Sequence, residues 1–183
     1  RLIAPLNSFR HIEDRLAKLQ RRLARKTKGS ANWRKLKAKI SSMHVHAANA
    51  RKDFLHKHST AIAESQGVVR VEKLNVRAMS ASAKGSIESP GRNVRTKAGL
   101  NKSILDQGWS MFKTMLAYKL AERGGRLEEV PAAYTSQTCA ECGLVDAASR
   151  KDQATFLCNA CGHAANADTN AARNILAAKT IAP

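Results

Sequence analysis

The sequence predicts a mixed α/β chain: a long helical hairpin, a little strand, and a zinc ribbon close to the C-terminal end. Three observations predict it. Apolar residues recur at three- and four-residue steps through the first third of the chain, the period of a helix face. Val68-Val69-Arg70-Val71-Glu72 and Arg126-Leu127-Glu128-Glu129-Val130 read as short strands. All four cysteines fall into two pairs, Cys139-Ala140-Glu141-Cys142 and Cys158-Asn159-Ala160-Cys161.

The elements follow in order. Phe9, Ile12, Leu16, Leu19 and Leu23 form one apolar stripe, with Ser8 as the expected N-cap. Thr27-Lys28-Gly29-Ser30 breaks that helix. A second helix is expected over 31–66. Its residues Trp33, Leu36, Ile40, Met43, Ala47, Ala50 and Phe54 make a heptad-like seam. At 1.5 Å per residue it reaches roughly 50 Å, and the first helix is its natural antiparallel partner. His44/His46 and His56/His58 are two apart, so neither pair shares a helix face and neither reads as a metal site. Gly67 ends the helix and the first strand follows, with Glu72 at its C-terminal edge. Residues 80–100 are rich in Ser, Gly and basic residues and read as a mobile loop or lid. A helix is expected to resume near Ser103. Leu105, Trp109, Phe112, Leu116 and Leu120 form its apolar face, and Gly124-Gly125 stops it before the second strand. A last helix is expected over 168–179, with Ala171, Ala172, Ile175 and Leu176 inward.

Charge narrows the partners. Lys and Arg number 32 against 14 Asp and Glu, a formal net charge of +18. That excess on a small chain points to a polyanion, nucleic acid above all. Aromatics are 4% of residues, so phosphate contacts rather than base stacking should dominate recognition. No apolar run has the length of a membrane span, and no secretory signal opens the chain. The cysteines are all used by the two pairs, which fits a reducing compartment.

Two residues between cysteines let both thiolates of a turn face one ion, and fifteen separate Cys142 from Cys158. Gly143 and Gly162 follow the second cysteine of each pair, where the turn needs an unhindered backbone. Cys139, Cys142, Cys158 and Cys161 are therefore expected to hold a structural Zn²⁺, closed to catalysis. His163 is adjacent but surplus. Glu72 and Asp168 lie on separate elements and have the oxygen chemistry that Mg²⁺ takes. Alone, each also has an ordinary reading: Asp168 as a helix N-cap, Glu72 as half of an ion pair.

VVRVEKLNV, SQTCAECG and NADTNAARNILA decide between these readings, supported by KLQRRLARKTKGSANWRKLKAKI and RKDFLHKHST. Together they resemble the C-terminal half of the TnpB family, the OrfB-type proteins of bacterial insertion sequences related to type V CRISPR effectors. The resemblance implies a partial RNase H-like (RuvC) nuclease fold with an inserted zinc ribbon. It implies RNA-guided DNA cleavage with a transposon-derived guide RNA and Mg²⁺, in a bacterial, cytoplasmic and nucleoid-associated setting. By that resemblance Glu72 matches the second catalytic acid and Asp168 the third, both as magnesium ligands, and the four cysteines match the zinc ligands. It divides the chain into a helical hairpin at 1–67, a RuvC-like core segment at 68–133, the ribbon at 134–165, and a final RuvC-like segment at 166–183.

The family's first catalytic aspartate has no match here. The acids before Glu72 are Glu13, Asp14, Asp53 and Glu64, all on expected helices. With Arg1 as the first residue, the expectation is a chain completed by a missing N-terminal portion or a second chain, and inactive alone. The alternative is a truncated, catalytically inactive nucleic-acid-binding zinc-ribbon protein derived from the same family.

Overall fold

The computed structural model describes residues 3–179. It divides the chain into two compact units. One takes the residues up to Ser65 together with Asn75–Lys119; the other takes Gln66–Leu74 and the chain from Leu120 onward.

The first unit is helical. A 3-10 turn, Arg10–Ile12, leads into α1, Glu13–Ala24. After a turn containing Gly29 at φ 84°, α2 runs over Ala31–Ser65, 35 residues and about 52 Å. The Phe9 and His44 rings stack at 6.1 Å although they stand almost equally far from Thr27 on either side, which is the pairing of an antiparallel hairpin. Leu16, Leu19 and Ala47 are buried, and the other seam residues are half-buried. Beyond Phe54 the buried face shifts to Leu55, Ser59 and Ala63, at steps of four. There the buried Lys119 ammonium donates to His56 O at 2.8 Å, Ser59 Oγ at 2.8 Å and Thr60 Oγ1 at 2.6 Å. A lysine at an inward position carries no apolar signal, so periodicity did not mark this contact.

Ser8 is not the cap of α1. Its hydroxyl donates to Asp106 Oδ1 at 2.8 Å, and Phe9 N–H donates to Asp106 Oδ2 at 2.9 Å. The free N–H at this end is met by a carboxylate from 97 residues away, a tertiary solution no local rule anticipates.

The stretch expected as loop until Ser103 is helical from Val94. After the short α3, Val76–Met79, α4 spans Val94–Asp106 and α5 spans Trp109–Ala121. The reason is that α4 docks by polar contacts. Lys97 Nζ donates to Met79 O at 2.6 Å, Asn101 Nδ2 to Ser80 O at 2.9 Å, and Arg10 Nη2 to Gly99 O at 3.1 Å. Gly108, at φ 69°, separates the two helices, and a Cβ there would stand 2.9 Å from Leu55 Cδ1. That break resets the helical phase. Leu105 and Trp109, expected inward, are exposed, while Met115 and Leu116 are buried as α5 proceeds. Residues 80–91 are irregular but closed on themselves, with Gly91 N–H donating to Lys84 O at 2.8 Å and Gly85 bridging to Pro90.

The second unit contains both predicted strands with their predicted bounds. β1, Val68–Glu72, pairs in parallel with β2, Arg126–Val130, so that Glu72 stands opposite Val130. Gly125 packs so close to Gly67 that an added Cβ would lie 2.4 Å from its carbonyl oxygen. The ribbon follows. β3, Thr155–Leu157, and β4, Ala164–Asn166, form an antiparallel hairpin around the second cysteine pair. Its core is small: Cys139, Phe156, Cys158 and Ala167. The chain then enters α6, Ala167–Ala177. Residues 180–183 of the expected last segment lie outside the described residues. No described helix is long and apolar enough to cross a membrane.

Candidate metal centre and paired carboxylates

The two cysteine turns repeat one hydrogen-bond pattern. Gly143 N–H donates to Cys139 O at 2.9 Å, and Cys139 N–H to Leu144 O at 2.8 Å. Gly162 N–H donates to Cys158 O at 3.1 Å, and Cys158 N–H to His163 O at 2.9 Å. Both glycines are left-handed, at φ 76° and 72°, as the sequence required. The four Sγ atoms all lie within 4.8 Å of one another, with Cys139–Cys161 at 3.7 Å and Cys142–Cys158 at 3.6 Å. A tetrahedron of thiolates about 2.3 Å from a zinc ion has edges of about 3.8 Å, so the donor set fits such a metal. Among the described residues this quartet is the one group of three or more metal-capable side chains gathered that closely. His163 is outside it and serves through its carbonyl.

The thiols are electrostatically unlike. Cys158 is pulled down to about 6, first by the backbone N–H of Cys161 and then by that of Ala160. Cys161 is pushed up to about 12: the His163 N–H works to lower it, but the Cys142 thiol, the loss of solvent around the sulfur, and the thiols of Cys158 and Cys139 together outweigh that. Four thiolates cannot gather unaided. A cation replaces their protons, so metal uptake releases protons and weakens as pH falls.

Asp168 is not the N-cap of α6. Asn166 is: its side-chain oxygen accepts from Asp168 N–H at 3.0 Å and Thr169 N–H at 3.2 Å. That leaves the Asp168 carboxylate exposed in the first turn, where the helix dipole favours a negative charge. Arg150 Nη2 lies 3.8 Å from its Oδ1. Glu72, half-buried at the end of β1, accepts a hydrogen bond from the Thr135 hydroxyl.

The residues that tie these pieces together are ones the sequence reading missed. The inward face of α6 is only in part the one expected: Ala171 and Ile175 are half-buried, but Ala172 and Leu176 are exposed, and Ala167 and Asn170 are the fully buried residues. Asn170 accepts from Ala140 N–H at 3.0 Å and donates to Thr138 O at 2.7 Å. Asn174 donates to Thr135 O at 2.9 Å and to Thr138 O at 2.7 Å. Two asparagines thus clamp residues 135–140, the segment that carries Thr135 to Glu72 and then enters the first cysteine turn. Arg70 on β1 donates to the carbonyls of Leu176 and Ala178 at the other end of α6. The asparagines' signal in the sequence is the four-residue spacing of Asn170 and Asn174, which an apolar period does not register.

Comparison with known proteins agrees with this arrangement. Residues 1–83 match the OrfB_IS605 family, described as "Probable transposase", and residues 109–175 match the "Cas12f1-like, TNB domain". The chain is 52% identical over 174 residues to the "Putative RNA-guided DNA endonuclease InsQ" of Escherichia coli (strain K12); the match covers 95% of this chain and 43% of that protein. A Streptomyces pristinaespiralis protein with the same activity in its name is 36% identical over 165 residues, 90% of this chain and 37% of its own. The chain spans less than half the length of these relatives. In fold it resembles a chain in the cryo-EM structure of the CRISPR-Cas12f ternary complex, with a TM-score of 0.59 and 21% identity over 96% of this chain and 34% of that one. By these matches the chain carries an OrfB_IS605 region and a Cas12f1-like TNB domain, and over most of its length it is similar to TnpB-like RNA-guided endonucleases.

Proposed function

We propose that this chain is the nuclease lobe of a transposon-associated, RNA-guided DNA endonuclease, with Glu72 and Asp168 as two of its catalytic carboxylates. One observation carries the reading. Thr135 holds the Glu72 carboxylate with its hydroxyl while its carbonyl is held by Asn174 of α6, the helix whose first turn bears Asp168. One residue thus links the strand that ends at Glu72 to the helix whose first turn bears Asp168.

Glu72 and Asp168 supply hard oxygen ligands suited to Mg²⁺, which keeps several of its waters and so needs few protein groups. When bound, such ions stabilise the attacking and leaving oxygens of the hydrolysed phosphodiester. The chain's own part is to hold the elements that carry the two carboxylates in register. Arg150 beside Asp168 is placed to meet a phosphate. The cysteine quartet holds a structural Zn²⁺ that fixes the ribbon and leaves no ligand position open. The division into hairpin (1–67), core segment (68–133), ribbon (134–165) and final segment (166–183) belongs to the same reading. So do the DNA and guide RNA partners, and a setting at the bacterial nucleoid.

The alternative, a catalytically inactive nucleic-acid-binding derivative, is favoured by one fact: among the described residues neither Glu72 nor Asp168 belongs to a group of three or more metal-capable side chains. Reconstitution separates the two. The chain alone should cleave nothing with Mg²⁺. Supplied with the remaining portion of a TnpB-type nuclease and its guide RNA, it should cut programmed DNA, and Asp168→Ala or Glu72→Ala should reduce cutting about a thousandfold or more. Cutting that survives Asp168→Ala removes the role given to that residue.

A further inference from the structure

We infer that Tyr134 is a stacking platform for a nucleobase of an unpaired strand, set beside Glu72. The second unit has two aromatic residues, Phe156 and Tyr134. Phe156 is fully buried, whereas Tyr134 is 64% exposed. Tyr134 also sits at φ 62°, in the left-handed region that a bulky residue rarely adopts. Its conformation is over-determined: its carbonyl accepts from Gln137 N–H at 2.9 Å, Thr138 N–H at 2.9 Å and Thr138 Oγ1 at 2.8 Å. A strained backbone held this firmly, with the ring left in solvent, is stabilised for something other than packing. The next residue is Thr135, whose hydroxyl meets Glu72. One peptide step, about 3.8 Å, separates the residue that carries the aromatic from the one that orients the acid. A strand whose phosphate lies at Glu72 would pass the segment that carries the exposed ring. The ligand class is a nucleobase, because every base offers a π-face to an aromatic while a paired duplex hides it.

The choice of ligand rests on the reading of Glu72 as a nuclease carboxylate, but the test uses neither divalent cation nor cleavage. Binding of the whole chain to labelled oligodeoxythymidylate and oligouridylate is measured by fluorescence anisotropy across a salt series. Phosphate contacts set the slope of log affinity against log salt, whereas stacking sets its height. Tyr134→Leu should weaken binding about 5- to 150-fold at every salt concentration with the slope unchanged, and Tyr134→Trp should restore it. An oligonucleotide of abasic sites should bind wild type and Tyr134→Leu alike. Tyr134→Gly suits the left-handed backbone, keeps the fold, and should show the same binding loss. The two strands report whether the base belongs to DNA or RNA. Equal affinity of Tyr134→Leu and wild type on both strands, or a Tyr134→Leu defect that persists on abasic strand, overturns the inference. The carboxylate reading has its own failure, cleavage that survives loss of Glu72 or Asp168, so either can fall without the other.

Discussion

The helical hairpin and the ribbon are two ways of stabilising a chain poor in large apolar residues. The hairpin uses length. Leu16, Leu19 and Ala47 are buried along two helices, and further along α2 Leu55, Ser59 and Ala63 continue the inward face. The ribbon has no such reserve. Four residues make its core, and two of them are cysteines. One region is held by distributed packing and tolerates local loss. The other depends on a single centre and a few asparagine bonds from α6, the helix that bears Asp168.

Removing the metal should break that comparison open. Structural zinc contributes about 10–16 kcal/mol to folding in small zinc modules. Chelation, or Cys158→Ser, should therefore unfold residues 134–166 while leaving α1 and α2 helical. Hydrogen exchange read by mass spectrometry would show it: protection lost around Cys139 and Cys158, and retained over Ala31–Ser65. Loss of protection throughout would mean the hairpin is not independently stable.

The next largest effect belongs to a buried long-range polar anchor of the hairpin, Asp106. Asp106 is buried, accepts from Ser8 and Phe9, and has Arg51 Nη1 3.7 Å from its Oδ1. Asp106→Ala leaves a buried hydroxyl, an N–H and a guanidinium with one partner fewer each, at a cost of about 3 kcal/mol. Thermal unfolding followed by circular dichroism should show it, and Asp106→Asn should recover part.

Asn174→Ala comes third, at about 2 kcal/mol, because it unties two carbonyls at once. Its consequence is local: α6 and the segment 135–140 should exchange faster while β1 and β2 do not. Thr135→Val, which removes one hydroxyl and keeps the shape, should cost about 1 kcal/mol in denaturant titrations, and Thr135→Ser should restore it.

How legible these parts were depends on what signals them. The hairpin, both strands of the parallel pair and the cysteine turns were visible because apolar period, β-branching and CxxC spacing are local statements. Val68–Glu72 and Arg126–Val130 appear with the bounds read from sequence, and α2 differs by one residue at its end. What was missed is polar and non-local. Asp106 serves α1 from 97 residues away, α4 docks through Lys97 and Asn101, and Thr135 and Asn174 act through hydrogen bonds to positions that no periodicity marks. Gly108 escaped because a single glycine inside a helical pattern does not announce a change of phase. The roles given to Glu72 and Asp168 rest on resemblance; the hydrogen bonds that link their elements through Thr135 and Asn174 are legible only in three dimensions.

The smallest effect on the fold, and the clearest division of labour, lies at the hairpin's turn. Between Arg15 and Lys39 stand eleven Lys and Arg, every one exposed, and no Asp or Glu occurs from residue 15 to residue 52. None of the eleven makes an ion pair among the described residues; Lys37 lies 5.0 Å from the centre of the Trp33 ring. Unbalanced surface cations add little to stability, so Arg34→Gln with Lys35→Gln should leave the melting curve within about 0.5 kcal/mol of wild type. Their effect should appear in binding alone. Every cation removed from a DNA phosphate should reduce the slope of log affinity against log salt on duplex DNA by about 0.9, equally for every sequence. A lower slope with an unchanged melt would assign this turn to phosphate binding, in contrast with Tyr134, whose loss moves the height of the line and not its slope.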